Sequence, residues 1–183
     1  MVNEVLSSIR LISGLLWVDL CHFSNIPNIL SVMELSLNAI HSNLIAIESA
    51  SSFVSKVYGI EIVEQAIEDA KENAMINNIE NIKFKCGAVE NILEDLIKEE
   101  NIAPNIVFVD PPRRGLDKNT IDNILKLRPE KVIYISCNPA TMVRDINMME
   151  GEYQIKEIQP VDMFPYTSHV ECCSVLYLKN SIQ

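Results

Sequence analysis

Residues 56–110, KVYGIEIVEQAIEDAKENAMINNIENIKFKCGAVENILEDLIKEENIAPNIVFVD, decide the fold. Three β-branched or aromatic runs, Lys56–Ile62, Ile82–Ala88 and Ile106–Asp110, read as strands. Between them Val63–Asn77 and Val89–Glu100 carry apolar residues at three- and four-residue spacing with charge on the other face, which is the pattern of helices. Further along, Asp117–Leu127 repeats the helical spacing, KVIYISC at Lys131–Cys137 is a fourth strand, and a helix is expected near Ala140–Glu150. Such alternation demands right-handed crossovers and predicts an α/β fold with a parallel sheet covered on both faces. Tyr153–Asp162 and Glu171–Leu178 then follow one another with no helix between, so an antiparallel pair should close one edge.

Upstream of Lys56 the character of the chain changes. Residues 1–55 hold five charged residues and eleven serines, against thirty-five and four in residues 56–183, so the two stretches need separate readings. From Lys56 onward turn signals and hydrophobic periods agree at every step, as in a foldable sequence, and before it they do not. A net charge of −10 repels phosphate, which excludes an electrostatic nucleic-acid clamp built from the whole surface, so any RNA or DNA contact must be local or supplied by another domain. The five cysteines, at 21, 86, 137, 172 and 173, form no C-x-x-C pair, so neither a disulfide framework nor a metal site is expected. With no unbroken apolar run of about 18 residues and no signal-peptide pattern, a cytoplasmic protein with reduced thiols and no membrane partner is expected.

In open α/β sheets the ligand crevice lies beyond the carboxyl ends of the strands, here at Glu61, Asp110 and Cys137. A carboxylate at Glu61 can accept two ribose hydroxyls, although a glutamate at a strand end is also commonly a solvated residue or helix cap. In Asp110-Pro111-Pro112-Arg113-Arg114-Gly115 two prolines stiffen the backbone and glycine permits a turn, which makes a rigid loop. Amino-methylating enzymes use a similar Asp-Pro-Pro loop followed by an aromatic residue; Arg113 stands there instead and disfavours that chemistry. Cys137 lies between a strand and an expected helix amino terminus, where the helix dipole favours a nucleophilic thiolate, whereas most unpaired cysteines are simply small buried groups. Arg144 follows it one residue too late for a tyrosine-phosphatase loop. The connection DMFPYTSHVE, 162–171, holds more chemistry than a hairpin needs, and Glu171 is its better candidate for a general base than His169.

Together these segments resemble the uracil-5 RNA methyltransferases, S-adenosylmethionine enzymes that methylate carbon 5 of uridine in 23S ribosomal or transfer RNA. DPPRRG, a sixteen-residue spacer and VIYISCNPAT are similar to the first signature of that family, DMFPYTSHVE to its second, and VYGIEIVEQAIEDAKENAMINNI to its second strand and helix. The likeness covers about residues 56–179. It implies a Rossmann-like class I methyltransferase fold, S-adenosyl-L-methionine as cofactor, and RNA as partner, with 23S ribosomal RNA preferred on the wording of CNPAT and DMFPYTSHVE. It also implies Cys137 as the nucleophile on uracil carbon 6, Glu171 as the base that removes the carbon 5 proton, Glu61 and Asp110 at the cofactor, and Arg144 and Asp145 as helping to shape the nucleophile loop.

The departures bear on the fold. The first strand and glycine-rich cofactor loop of that family should end just before Lys56, where the chain offers SLNAIHSNLIAIESASSFVS, without a glycine. An amino-terminally incomplete domain at 56–183 is therefore expected, preceded by an atypical segment at 1–55. That segment is either a truncated or frameshifted reading or a replacement, with a helix near Pro27–Ser51. The rival function is an inactive remnant without the cofactor loop, acting at most as a binding module.

Overall fold

The computed structural model describes residues 15–19, 55–99, 102–162 and 166–179. Its elements in chain order are β1 (Leu15–Asp19), β2 (Lys56–Glu61), α1 (Glu64–Ile76), β3 (Ile82–Cys86), α2 (Val89–Glu99) and β4 (Ile106–Val109), followed by α3 (Lys118–Leu127), β5 (Lys131–Ser136), α4 (Pro139–Met149), β6 (Tyr153–Val161) and β7 (Glu171–Leu178). Each expected strand and helix from Lys56 onward is present, shifted by no more than two residues at its ends. Residues 27–51, where a replacement helix was expected, lie outside the described residues.

The strands form one sheet in the order β3-β2-β1-β4-β5-β7-β6. Strands β2 and β3 pair in parallel, as do β4 and β5, while β7 runs antiparallel to both β5 and β6 and closes the edge as its sequence requires. The central seat between β2 and β4 departs from expectation. Leu15–Asp19 fills it, antiparallel to both neighbours, with Leu15 opposite Ile60 and Val109. Two buried strands without a partner between them would leave rows of unpaired N–H and C=O groups, and either strand direction can satisfy those groups.

Local sequence sets the helix ends. Asp117 caps α3 by accepting the Thr120 N–H at 3.0 Å, and Arg128 ends it in the left-handed conformation, φ 51°. Asn138 caps α4 by accepting the Ala140 N–H, and Pro139 enters the first turn, where no donor is lost. The core lies between sheet and helices: Val107, Val132, Tyr134 and Leu176 from the strands meet Leu93, Ile124 and Met149 from the helices, all with essentially no exposure. Leu176→Ala is expected to cost about 3 kcal/mol by cavity formation, read as a lowered urea midpoint with an unchanged slope. Among the described residues no helix is long and apolar enough to cross a membrane.

Candidate active site

Strand ends and the turns after them build the site. Glu61 closes β2, and its carbonyl accepts the N–H of Gly87, which follows β3 with φ 152°. Its side chain is 1% exposed; Oε1 accepts the Val63 N–H at 2.9 Å, and Oε2 is buried without a hydrogen-bond partner. Burial raises its pKa above the ordinary carboxylate value, against the lowering by the Val63 and Ile62 amides. The folded state therefore holds the proton more tightly. The stability this lends is complete below the ordinary value and lost as pH rises through the raised one. Glu61→Gln, which cannot ionise, should melt a few degrees above wild type beyond that window and together with it at low pH, as followed by calorimetry.

A cleft of about 220 Å³ opens beside Ile62, between Gly87–Glu90 and the turn after β4, and Asp110 lines it with Pro111 and Leu116. Glu61 does not line it but immediately precedes Ile62, and its carbonyl holds the N–H of Gly87, and both of these residues do line it. An orphaned buried acceptor beside a cleft with both apolar and polar lining fits a ligand that brings hydroxyl donors and a flat apolar group. Asp110 also reaches toward the other strands: burial, with its carboxylate next in importance, pushes the Cys173 thiol up to about 12.

Cys137 and Glu171 do not line this cleft. Cys137 is half-buried, one residue past the end of β5 and one before the cap of α4. The Ser136 hydroxyl binds both the N–H and the carbonyl of Asn138, so the turn around the sulfur is tightly held. In the β5–β7 pair, Lys131 faces Tyr177 and Ser136 faces Cys172. The ladder ends there: Cys137 follows Ser136 and Glu171 precedes Cys172, so both residues flank the last paired position at the same end of the two strands. Burial raises the pKa of Glu171, while the charges of Arg113 and His169 pull it back.

The Pro-Pro-Arg loop ties these parts together. The carbonyl of Arg113 accepts from Asn138 Nδ2 at 3.0 Å and Thr141 Oγ1 at 3.2 Å, and its Nη2 meets His169 Nδ1 at 2.8 Å. Arg113 thus touches both the cysteine turn and the segment that leads into Glu171. Gly115 follows with φ 80°, against Asp145 and Arg144. Asp145 was named with Arg144 for the nucleophile loop, but sequence reasoning missed its buried partner Tyr134, whose hydroxyl donates to it at 2.6 Å. The available signal was a tyrosine in the otherwise apolar strand KVIYIS, because a buried phenol needs a hydrogen-bond partner.

A family model described as tRNA (uracil-5-)-methyltransferase matches residues 41–180. An uncharacterized RNA methyltransferase of Enterococcus faecalis is 49% identical over 122 residues, 66% of this chain and 26% of the relative. Another, from Bacillus cereus, is 52% identical over 118 residues, 64% of this chain and 25% of the relative. The chain thus spans about a quarter of the length of the curated relatives it matches. Among solved structures, the Pyrococcus abyssi tRNA (uracil-54, C5)-methyltransferase in complex with S-adenosyl-L-homocysteine is 32% identical, with a TM-score of 0.59 over 73% of this chain and 31% of that one. The class I methyltransferase fold is common to both.

Proposed function

The chain belongs to the tRNA (uracil-5-)-methyltransferase family, and from that membership we propose that residues 56–183 carry the chemistry of an S-adenosylmethionine-dependent RNA methyltransferase acting on uridine carbon 5 in the cytoplasm. What supports this reading is the end of the β5–β7 ladder, where Cys137 follows the last paired residue of β5 and Glu171 precedes that residue's partner, Cys172. A nucleophile and a base on adjacent strand ends can work on the two neighbouring carbons of one pyrimidine double bond.

Uracil carbon 5 is a weak nucleophile. The Cys137 sulfur adds to carbon 6, the electron pair moves into the ring, and carbon 5 becomes an enolate carbon able to take an electrophile. S-adenosylmethionine, when bound, supplies the methyl group. Glu61 would hold its ribose, for which the unpartnered Oε2 is a fitting acceptor, and Asp110 would line the pocket shared with the base. Glu171 then removes the carbon 5 proton, the sulfur–carbon 6 bond breaks, and the ring double bond returns. Flanking strand ends and loops suit a uridine extruded from its stack.

The test uses RNA containing 5-fluorouridine, whose fluorine occupies the place of the proton to be removed and so blocks release. With S-adenosylmethionine, a complex stable to denaturing gels is expected, formed faster on 23S ribosomal RNA fragments than on transfer RNA. No complex with either RNA, together with no cofactor binding by calorimetry, would overturn the enzymatic reading in favour of an inactive binding module. Preference for transfer RNA is the second reading, favoured by the reaction of the Pyrococcus abyssi relative; trapping on that RNA alone would establish it.

A further inference from the structure

Asp145 sits in α4 with no exposure at all and accepts four hydrogen bonds. Its Oδ2 accepts the Leu116 N–H at 2.7 Å and the Tyr134 hydroxyl at 2.6 Å, while Oδ1 accepts Arg144 Nε at 2.8 Å and Nη2 at 2.5 Å. That saturates a carboxylate. Arg144 Nη2 also donates to the carbonyls of Arg114, at 2.9 Å, and Leu116, at 3.2 Å. Gly115 admits this approach: a Cβ there would lie 2.5 Å from Asp145 Oδ2 and 2.6 Å from Arg144 Nη2. Stability is a weak reason to bury such a charge, since well-packed apolar groups commonly do as well. What the carboxylate does is fix geometry. It clamps the Asp110–Leu116 loop to α4, and the loop presents the Arg113 carbonyl to Asn138 and Thr141, on the carboxyl side of Cys137. The Arg113 side chain carries the same constraint to His169, two residues before Glu171.

We propose that Asp145, with Tyr134 and Arg144, is the positioning hub of this site, fixing through the Arg113 loop where the Cys137 sulfur and the Glu171 carboxylate stand relative to each other. The inference deepens the methyltransferase reading and rests on it for the role of the sulfur. An asparagine at 145 offers one acceptor oxygen and turns two N–H donors toward either Arg144 or the Leu116 and Tyr134 donors, so half of the hub is lost. Tyr134→Phe keeps the anion and removes one bond.

The cysteines provide the readout in the full chain. Cys86 is exposed, Cys137 half-buried, and Cys172 and Cys173 buried, so iodoacetamide labelling mapped by peptide mass spectrometry separates the site from the fold. Releasing the loop uncovers the Cys137 turn, and Asp145→Asn is expected to raise Cys137 labelling about fivefold, with Cys86 and Cys173 unchanged. Trapping on 5-fluorouridine RNA moves the opposite way, falling about 100-fold at an RNA affinity within twofold of wild type, because a misplaced nucleophile fails a near-attack geometry. Tyr134→Phe should give the same crossed pattern at smaller amplitude. Unchanged Cys137 labelling in Asp145→Asn would overturn the proposal, as would Cys137 and Cys173 rising together in both variants, which would mean that the carboxylate supports the fold rather than the site. If wild-type protein traps no RNA, the methyltransferase reading falls separately, and the labelling contrast still decides whether the hub holds Cys137.

Discussion

Glu171→Gln is expected to leave the protein covalently stalled on ordinary uridine RNA, already methylated and unable to let go. Addition of the sulfur to carbon 6 and attack by carbon 5 require no proton acceptor at position 171; removal of the carbon 5 proton does, and an amide cannot accept it. Turnover should fall about 10³-fold while adduct formation stays within a few-fold of wild type. A radiolabelled methyl group that migrates with the protein on a denaturing gel would be the signature. Turnover and adduct formation lost in step would remove Glu171 from the role of base. The pH dependence has a defined sign. Burial raises the pKa of this carboxyl and Arg113 lowers it, so release should accelerate as pH rises through the raised value and then level off. Arg113→Ala withdraws the lowering influence, and the rising limb should move to higher pH.

Cys137→Ser is expected to abolish both adduct and methyl transfer, with a loss of at least about 10⁴-fold, because a serine hydroxyl is a far weaker nucleophile than a cysteine sulfur. The sulfur is half-buried and outside the main core, so the melting temperature and cofactor affinity should not change. Cys86→Ser is the matched control. Cys86 is exposed at the end of β3, separated from β4 by β2 and β1, and its removal should leave trapping intact. Residual trapping in Cys137→Ser that disappears only in the double variant would reassign the nucleophile.

What was legible in the sequence follows from how local each signal is. Strands such as KVIYIS and helices such as Lys118–Leu127 declare themselves through period, caps and flanking turns, and the strand-end rule put Glu61, Asp110 and Cys137 at one edge of the sheet before any coordinates. Register is not local. That Cys137 and Glu171 flank the same end of one ladder depends on how β7 slides along β5, which neither segment encodes alone. Asp145 was hard to read for another reason. A charged residue in an amphipathic helix is usually solvated, and only the arrival of Leu116, Tyr134 and Arg144 from three positions in the chain makes it a buried acceptor. Leu15–Asp19 was the least legible of all, because it lies in a stretch whose turn signals and hydrophobic periods do not agree and its place depends on two strands about forty and ninety residues away.

Because Leu15–Asp19 alone bridges β2 and β4 in the hydrogen-bonded order, the sheet is two panels joined by a five-residue splint. One panel, β3-β2, bears Glu61; the other, β4-β5-β7-β6, bears Asp110, Cys137 and Glu171 at its strand ends. Donor and acceptor of a transferred methyl group would therefore ride on different panels. Their alignment depends in part on the backbone bonds of that segment, and amide exchange at Val57–Ile60 and Val107–Val109 should rise and fall together whenever that splint lets go.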